Sequence, residues 1–143
     1  MKNAASGSVS PGAMPMGKIG KLTVSRLISG GNLISGWAHS RDLHYVASLM
    51  RAYNSEDKVL DTLQLLEEHG VNTIIADPRK KPMDIFARYW KERGGKMQWI
   101  PQMCFDDITK FREAHNQAAD LGAIGAQIQG NVGDALVKRG QVG

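Results

Sequence analysis

The sequence predicts an α/β domain in which parallel strands alternate with helices, and three observations lead to that prediction. Short apolar runs typical of strands alternate with longer segments whose apolar residues recur about every 3.6 positions. Residues that end helices separate these segments, as at Gly70 and Gly122. The 143 residues suffice for one domain with one core. We therefore expect either a small doubly wound sheet or part of a (β/α)8 barrel.

The chain is expected to begin with a tail and a short hairpin. Residues 1–13 are rich in Ser, Ala and Gly and lack the apolar run of a secretory signal, which predicts a flexible tail. Residues 14–143 are then the partial barrel domain. Apolar residues alternate on both sides of Gly20, which indicates a hairpin. The stretch RLISGGN, closed by Gly30 and Gly31, predicts the first strand of the main sheet.

Two helices and a buried strand are expected next. RDLHYVASLMRAY has helical spacing, and its apolar face is made by Leu43, Val46, Met50 and Tyr53. Asn54 or Ser55 suits the start of a second helix, which ends at Gly70. VNTIIAD then has the composition of a buried strand.

The same alternation continues to the end of the chain. Pro82 fits the first position of a helix that ends at residues 94–95, and KMQWIPQMC predicts the next strand. Asp106 or Asp107 is expected to cap a helix that ends at Gly122. IGAQIQG predicts the fourth strand, and GDALVKRG a last helical turn.

Four strand units cannot close an eight-stranded barrel. A complete barrel needs about 200 residues or more, so one copy of this chain can supply only half of one. Such a half leaves its outer strands unpaired and its inward side chains uncovered, and we expect Ile74, Ile100 and Ile128 among the latter. We therefore expect the chain to self-associate or to pair with a missing C-terminal half.

Composition argues against several kinds of partner. Lys and Arg exceed Asp and Glu by 18 to 14 but are scattered along the chain, so we expect no nucleic-acid partner. No run approaches the roughly eighteen apolar residues of a membrane span, so we expect no membrane partner. Cys104 is the single cysteine, which leaves no disulfide or CxxC pair and predicts a cytoplasmic location.

Two stretches carry a resemblance to a known family. GKIGKLTVSRLISGGN resembles the N-terminal hairpin and first strand of the aldo/keto reductase superfamily, and VLDTLQLLEEHGVNTIIAD resembles its first barrel helix and second strand. The resemblance covers about residues 16–130. It implies the N-terminal half of a TIM (β/α)8 barrel, preceded by a short hairpin. It also implies NADPH, but the half that binds this cofactor is absent, so the cofactor stays unknown.

The family's catalytic residues carry over to this chain only in part. The resemblance implies a catalytic Asp at the end of the second strand, which is Asp77. It implies a proton-donating Tyr at the position of Pro82, a Lys at Gln102 or Met103, and a His at Gln129. Three of these four roles are therefore unfilled. We expect no standard NADPH-dependent carbonyl reduction.

The segment after the second sheet strand, ADPRKKP, allows two interpretations. Asp77 ends a parallel strand, where barrel enzymes place site residues, but it also suits a turn before Pro78 in which it pairs with Arg79 or Lys80. Arg79 and Lys80 are suited to bind an anion such as a phosphate or carboxylate, or they belong to a solvated loop. The sequence leaves both alternatives open.

A second polar cluster, GWAHSRDLH, follows the first sheet strand and is expected on the same rim. We expect His39 and Arg41, with Gln129 from the fourth strand, to contact a small anionic or sugar-like molecule. Trp37 either stacks on that ligand or packs as part of a lid. The spacing of His39 and His44 differs from that of a metal-binding helix, so we assign no metal.

Three kinds of function remain open from the sequence. The first is a fragment or divergent member of the aldo/keto reductase group. The second is a non-catalytic module that binds an anion or assembles with a partner. The third is a lyase or isomerase acting on a sugar or its phosphate, with Asp77, His39 and Gln129 around the substrate.

Overall fold

A computed structural model describes residues 13–141, with a two-stranded antiparallel hairpin and a four-stranded parallel sheet. The hairpin consists of β1, Met16–Ile19, and β2, Leu22–Ser25. The sheet consists of β3, Ser29–Gly30, β4, Thr73–Ala76, β5, Gln98–Met103, and β6, Gln127–Ile128. The mixed α/β class, with a hairpin before a parallel sheet, is therefore confirmed.

Helices connect the parallel strands. In chain order they are α1, Asn32–Ser35, α2, Tyr45–Tyr53, α3, Glu56–Glu68, α4, Lys80–Glu92, α5, Ile108–Leu121, and α6, Gly130–Lys138. Ser55 caps α3 and Asp107 caps α5, because each side chain accepts a hydrogen bond from the backbone N–H three residues later. Among the described residues, no helix is long and apolar enough to cross a membrane.

The order of the sheet strands follows the order of the chain, β3-β4-β5-β6. In a doubly wound sheet the order of the strands reverses at a switch point. The strand order of this sheet has no such reversal within residues 13–141. Within residues 13–141, the outer edges of β3 and β6 pair with no further strand. The half-barrel interpretation therefore stays a prediction.

The main core lies between the sheet and the helices. It contains the side chains of Ile34, Val59, Leu60, Leu63, Ile74, Ala76, Ile85, Phe86, Tyr89, Met97, Trp99 and Ala118. The expectation that Ile74 points into a half barrel is wrong, because it is fully buried in this core. Successive strand residues face opposite sides, and Ile74 pairs in register with Trp99 on the core side.

The opposite face of the sheet is partly covered. Ile75 and Ile100 pair in register one residue out of phase with the core pair, so they belong to this face. Ile100 is only 8% exposed, whereas Ile128 is 51% exposed. Ile128 pairs in register with Met103, which lies four residues after Trp99 in β5, so alternation places Ile128 on the core side of the sheet. The expectation that Ile128 points into a half barrel is therefore also wrong.

The hairpin is attached at the end of the sheet where β4 and β5 begin. Asn72 and Ser25 form two hydrogen bonds with each other. The Ser25 N–H donates to Asn72 Oδ1 at 2.8 Å, and the Asn72 N–H donates to Ser25 Oγ at 3.0 Å. Asn72 Nδ2 and Gln98 Nε2 both donate to the carbonyl of Thr23, at 3.0 and 2.9 Å. The hairpin therefore covers the amino end of the sheet and leaves the carboxyl end open.

Several local predictions need correction. Pro82 is the third residue of α4, which begins at Lys80, and the missing proline N–H costs nothing there because first-turn amides have no helical partner. The predicted apolar face of α2 is only half correct, since Leu43 and Tyr53 are exposed. Helix α1 was not predicted. The predicted tail lies outside the described residues, except for Ala13.

Candidate functional site

A cleft of about 790 Å³ lies at the carboxyl end of the parallel sheet. It is lined by residues that follow each sheet strand, including Gly31 and Trp37 after β3, Asp77 and Arg79 after β4, Cys104 after β5, and Gln129 after β6. Parallel α/β sheets bind their ligands at this end, because the loops that follow the strands converge there. The cleft is therefore the candidate site.

The first wall of the cleft depends on Gly31, the residue before α1. A Cβ atom at Gly31 would lie 2.6 Å from both Cα and Cβ of Ala76 and 3.1 Å from the carbonyl oxygen of Ile75. Only glycine allows the two backbones to approach this closely. This approach brings the single turn of α1 against the end of β4 and places Ser35 beside Asp77.

Asp77 is the central polar group of the cleft and is only 9% exposed. Ser35 Oγ donates a hydrogen bond of 2.6 Å to Asp77 Oδ2. The backbone N–H of Arg79 donates to Asp77 Oδ1 at 3.3 Å. These bonds hold the carboxylate in place, and because a carboxylate has about four acceptor sites, about two remain for a ligand.

Asp77 therefore combines the two roles considered from the sequence. Its contact with the Arg79 N–H is the local hydrogen bond expected if Asp77 belongs to a turn at Pro78. The expected pairing with the Arg79 or Lys80 side chain is wrong, because Asp77 forms no ion pair with any described residue. The carboxylate lines the cleft at the same time, so the turn and the candidate site coincide.

Arg79 and Trp37 meet across the mouth of the cleft. The central guanidinium carbon of Arg79 lies 5.3 Å from the centre of the Trp37 ring, within the range of a cation–π contact. Trp37 remains 53% exposed, so it is not packed as a buried lid residue. Much of its surface is available for stacking on a bound ring.

Another wall of the cleft, after β5, includes Cys104, which is half-buried. Burial raises the pKa of its thiol above the usual value, and the nearby Arg79 opposes part of this rise. The raised pKa favours the neutral thiol at neutral pH, and thiols in this form are weak nucleophiles. Cys104 is therefore better described as a wall residue than as a reactive group.

Amide side chains complete the polar lining of the cleft. Gln102 is the residue before the last of β5, and Gln129 and Asn131 lie at the start of α6. The backbone N–H of Gln129 donates to the carbonyl of Met103 at 3.0 Å, which fixes this loop against the end of β5. Amides offer both donors and acceptors, so this side of the cleft suits an uncharged polar ligand group.

The structure brings together four of the six residues predicted for the site, namely Asp77, His39, Arg79 and Gln129. Lys80 does not line the cleft, because it is the first residue of α4 and pairs with Asp84 one turn later at 2.6 Å. Arg41 does not line it either. It lies exposed in the turn before α2, with a left-handed φ of 49°.

Two residues outside the predicted set help to build the site. Ser35 holds the carboxylate, and its only sequence signal is the short apolar pair between Gly31 and Gly36 that forms the single turn of α1. Asn131 lines the cleft and directly follows the first residue of α6. Hydropathy cannot reveal either contact, since both depend on the meeting of separate loops.

Among residues 13–141, no tyrosine lines the cleft to take the proton-donor role that the resemblance implies at Pro82. Tyr89 is buried between helices, and its hydroxyl donates a short hydrogen bond to Glu67 of α3. Burial, and then this hydrogen bond, raise the pKa of Tyr89 above its usual value. Tyr89 is not among the residues that line the cleft.

Neither a metal-binding group within residues 13–141 nor a similar known protein assigns a function to the cleft. Among residues 13–141, no three His, Cys, Asp or Glu side chains are grouped in a way that could hold a metal ion. Comparison with known protein families, curated proteins and solved structures gives no match. The candidate site therefore has to be interpreted from its own geometry.

Proposed function

We propose that this chain forms the amino-terminal half of an aldo/keto reductase-like barrel whose cleft binds a small hydroxylated, sugar-like molecule. We further propose that it does not carry out NADPH-dependent carbonyl reduction. The observation that carries the binding proposal is the buried Asp77 carboxylate, held by Ser35 at the carboxyl end of parallel strands. A buried carboxylate is costly unless hydrogen bonds satisfy it, and ligand hydroxyl groups can fill its remaining acceptor sites.

The rest of the cleft lining supports a hydroxylated ligand. Gln102, Gln129 and Asn131 supply amide donors and acceptors, which suit hydroxyl groups in either hydrogen-bonding role. Trp37 offers a half-exposed aromatic face, on which the C–H face of a sugar ring can pack. A few placed polar groups with one aromatic surface are typical of small-molecule sites.

Two features of the fold support the barrel part of the proposal. The parallel strands follow one another in chain order, as they do around a (β/α)8 barrel. The hairpin covers the amino end of the sheet, opposite the cleft. The open outer edges of β3 and β6 favour a further proposal, that this half pairs with a second copy or with a C-terminal half.

The absence of carbonyl reduction is proposed from the residues at the family's catalytic positions. Pro82 has no hydroxyl group to protonate a carbonyl oxygen, and the Tyr89 hydroxyl is committed to Glu67. Gln102 lies in the cleft where the resemblance implies a Lys, and an amide does not lower the pKa of a neighbouring phenol as a cation does. Steady NADPH-dependent turnover of simple aldehydes by the purified chain, abolished in Asp77→Asn, would contradict this part.

Binding can be tested by titration calorimetry and tryptophan fluorescence with D-glucose, D-ribose and myo-inositol. We expect Asp77→Asn to weaken binding of the preferred compound by about tenfold or more, since hydrogen bonds to charged groups contribute about 1.5–3 kcal/mol. Ser35→Ala should weaken it less, because the carboxylate remains. Asp84→Asn is the matched control, since it removes an exposed carboxylate outside the cleft.

Two results would contradict the binding proposal. One is that none of the three compounds binds to the folded chain. The other is that Asp77→Asn and Asp84→Asn bind the preferred compound as tightly as the unmodified protein does. In both cases, circular dichroism should first show that each variant is folded.

A second candidate function is proton transfer on a bound sugar, as in a lyase or isomerase. The fixed position of Asp77 favours it, because a carboxylate held by Ser35 can accept a proton from a carbon or hydroxyl group of the ligand. Incubation with D-ribose in D2O followed by NMR tests this directly. Deuterium incorporation that Asp77→Asn abolishes would support it, and no incorporation despite binding would leave a binding site alone.

A further inference from the structure

We propose that Arg79 makes the cleft selective for hydroxylated molecules that also carry an oxyanion, such as a sugar acid or a sugar phosphate. This inference rests on the proposed function and names the chemical class of its ligand. It concerns one residue, because Arg79 lines the main cleft and the neighbouring Lys80, with which it was grouped by sequence, does not.

Arg79 carries a positive charge that no ion pair neutralises among residues 13–141. Asp77 lies two residues away, but it contacts the backbone N–H of Arg79 and the hydroxyl of Ser35 instead of the guanidinium group. Lys80, in contrast, is paired with Asp84 at 2.6 Å. Lys81, the second residue of α4, does not line the cleft, so Arg79 is the cation of residues 79–81 that remains available to a ligand there.

The position of Arg79 suits a contact with one end of a ligand. It lines both the main cleft and a smaller pocket of about 420 Å³ between the start of α4 and α5. Its guanidinium group lies near the face of Trp37 at 5.3 Å. The guanidinium group carries five N–H donors, and two of them can match both oxygens of a carboxylate or phosphate.

The two charges of the cleft restrict which molecules fit. Asp77 favours hydrogen-bond donors and repels an anion placed beside it, whereas Arg79 attracts an anion. A neutral sugar can donate hydrogen bonds to Asp77 but does not neutralise Arg79. A simple anion can pair with Arg79 but donates no hydrogen bond to Asp77. A molecule with hydroxyl groups at one end and an oxyanion at the other satisfies both and can bind in one orientation.

The test compares D-glucose, D-glucuronate and D-glucose 6-phosphate by titration calorimetry at low ionic strength. We expect one or both anionic compounds to bind about tenfold or more tightly than D-glucose, as charge-assisted hydrogen bonds do. Arg79→Gln should reduce the ratio of the affinity for the anionic compounds to the affinity for D-glucose to about one. Lys80→Gln is the matched control, because it removes a neighbouring charge outside the cleft and should keep the preference.

Three outcomes would overturn the inference, and they differ in what they say about the site. Equal binding of all three compounds would refute anion selectivity and leave the sugar-like ligand in place. A preference that Arg79→Gln retains, or that Lys80→Gln removes equally, would assign the selectivity to another group. Failure of all three compounds to bind would overturn the proposed function as well.

Discussion

Replacing Gly31 with alanine tests whether close backbone contact builds the site. The added Cβ would lie 2.6 Å from Cα and Cβ of Ala76, whereas carbon atoms pack best at about 3.5–4.0 Å. Ala76 has no flexible side chain that could move away. Either β4 or the start of α1 must therefore shift by about 1 Å, from the difference between these distances.

The expected cost follows from two opposing effects. Overpacking of this kind costs about 1–3 kcal/mol. Loss of glycine flexibility in the unfolded chain returns about 0.4–1 kcal/mol, since the φ of −82° at Gly31 is allowed for alanine. We therefore expect Gly31→Ala to lower the free energy of unfolding by roughly 1–2 kcal/mol, the difference of these effects.

The assay is urea and thermal unfolding followed by circular dichroism. A loss of this size should lower Tm by about 2–8 °C for a chain of this length. Gly30→Ala is the control, because nothing lies within 4 Å of a Cβ at that position. Equal stability of the two variants would refute the close-contact argument. Gly31→Ala should also weaken ligand binding, because α1 carries Ser35.

Three further predictions concern stability and assembly. Tyr89→Phe should cost about 1.5–3 kcal/mol, because it removes a part-buried hydrogen bond to the charged Glu67 carboxylate. The folded-state pKa of Tyr89 is raised above the ordinary value of 10.0, so the free energy of unfolding should fall as the pH rises above that value, by at most about 1.4 kcal/mol per pH unit. This dependence on pH should be weaker in Tyr89→Phe, and an identical dependence in urea titrations would contradict the assignment. Asp107→Ala should lower the unfolding free energy by about 1 kcal/mol because it caps α5, and Asp106→Ala, which removes an exposed ion pair, should lower it less; a larger loss for Asp106→Ala in thermal melts would be the opposite result. Sedimentation velocity at micromolar concentration should show self-association through the open sheet edges, and a compact monomer near 15.6 kDa would argue against the half barrel.

Local sequence was sufficient to place most of the fold. Helix ends carry their own chemical signals, as the cap at Ser55 and the left-handed glycines at Gly70 and Gly122 show. The apolar runs of β4 and β5 likewise identify buried strands without knowledge of their neighbours. The position of Asp77 at the rim followed from the general geometry of parallel sheets.

The contacts that make the rim a site were decided by the tertiary structure. Sequence grouped Arg79 with Lys80, but the start of α4 directs Lys80 to Asp84 and leaves Arg79 at the cleft. Sequence also gave no reason to join Ser35 to Asp77, which lie 42 positions apart. Hydropathy and spacing report which residues are buried along one element, whereas such pairs depend on how closely two backbones approach. Here that approach depends on a glycine at position 31.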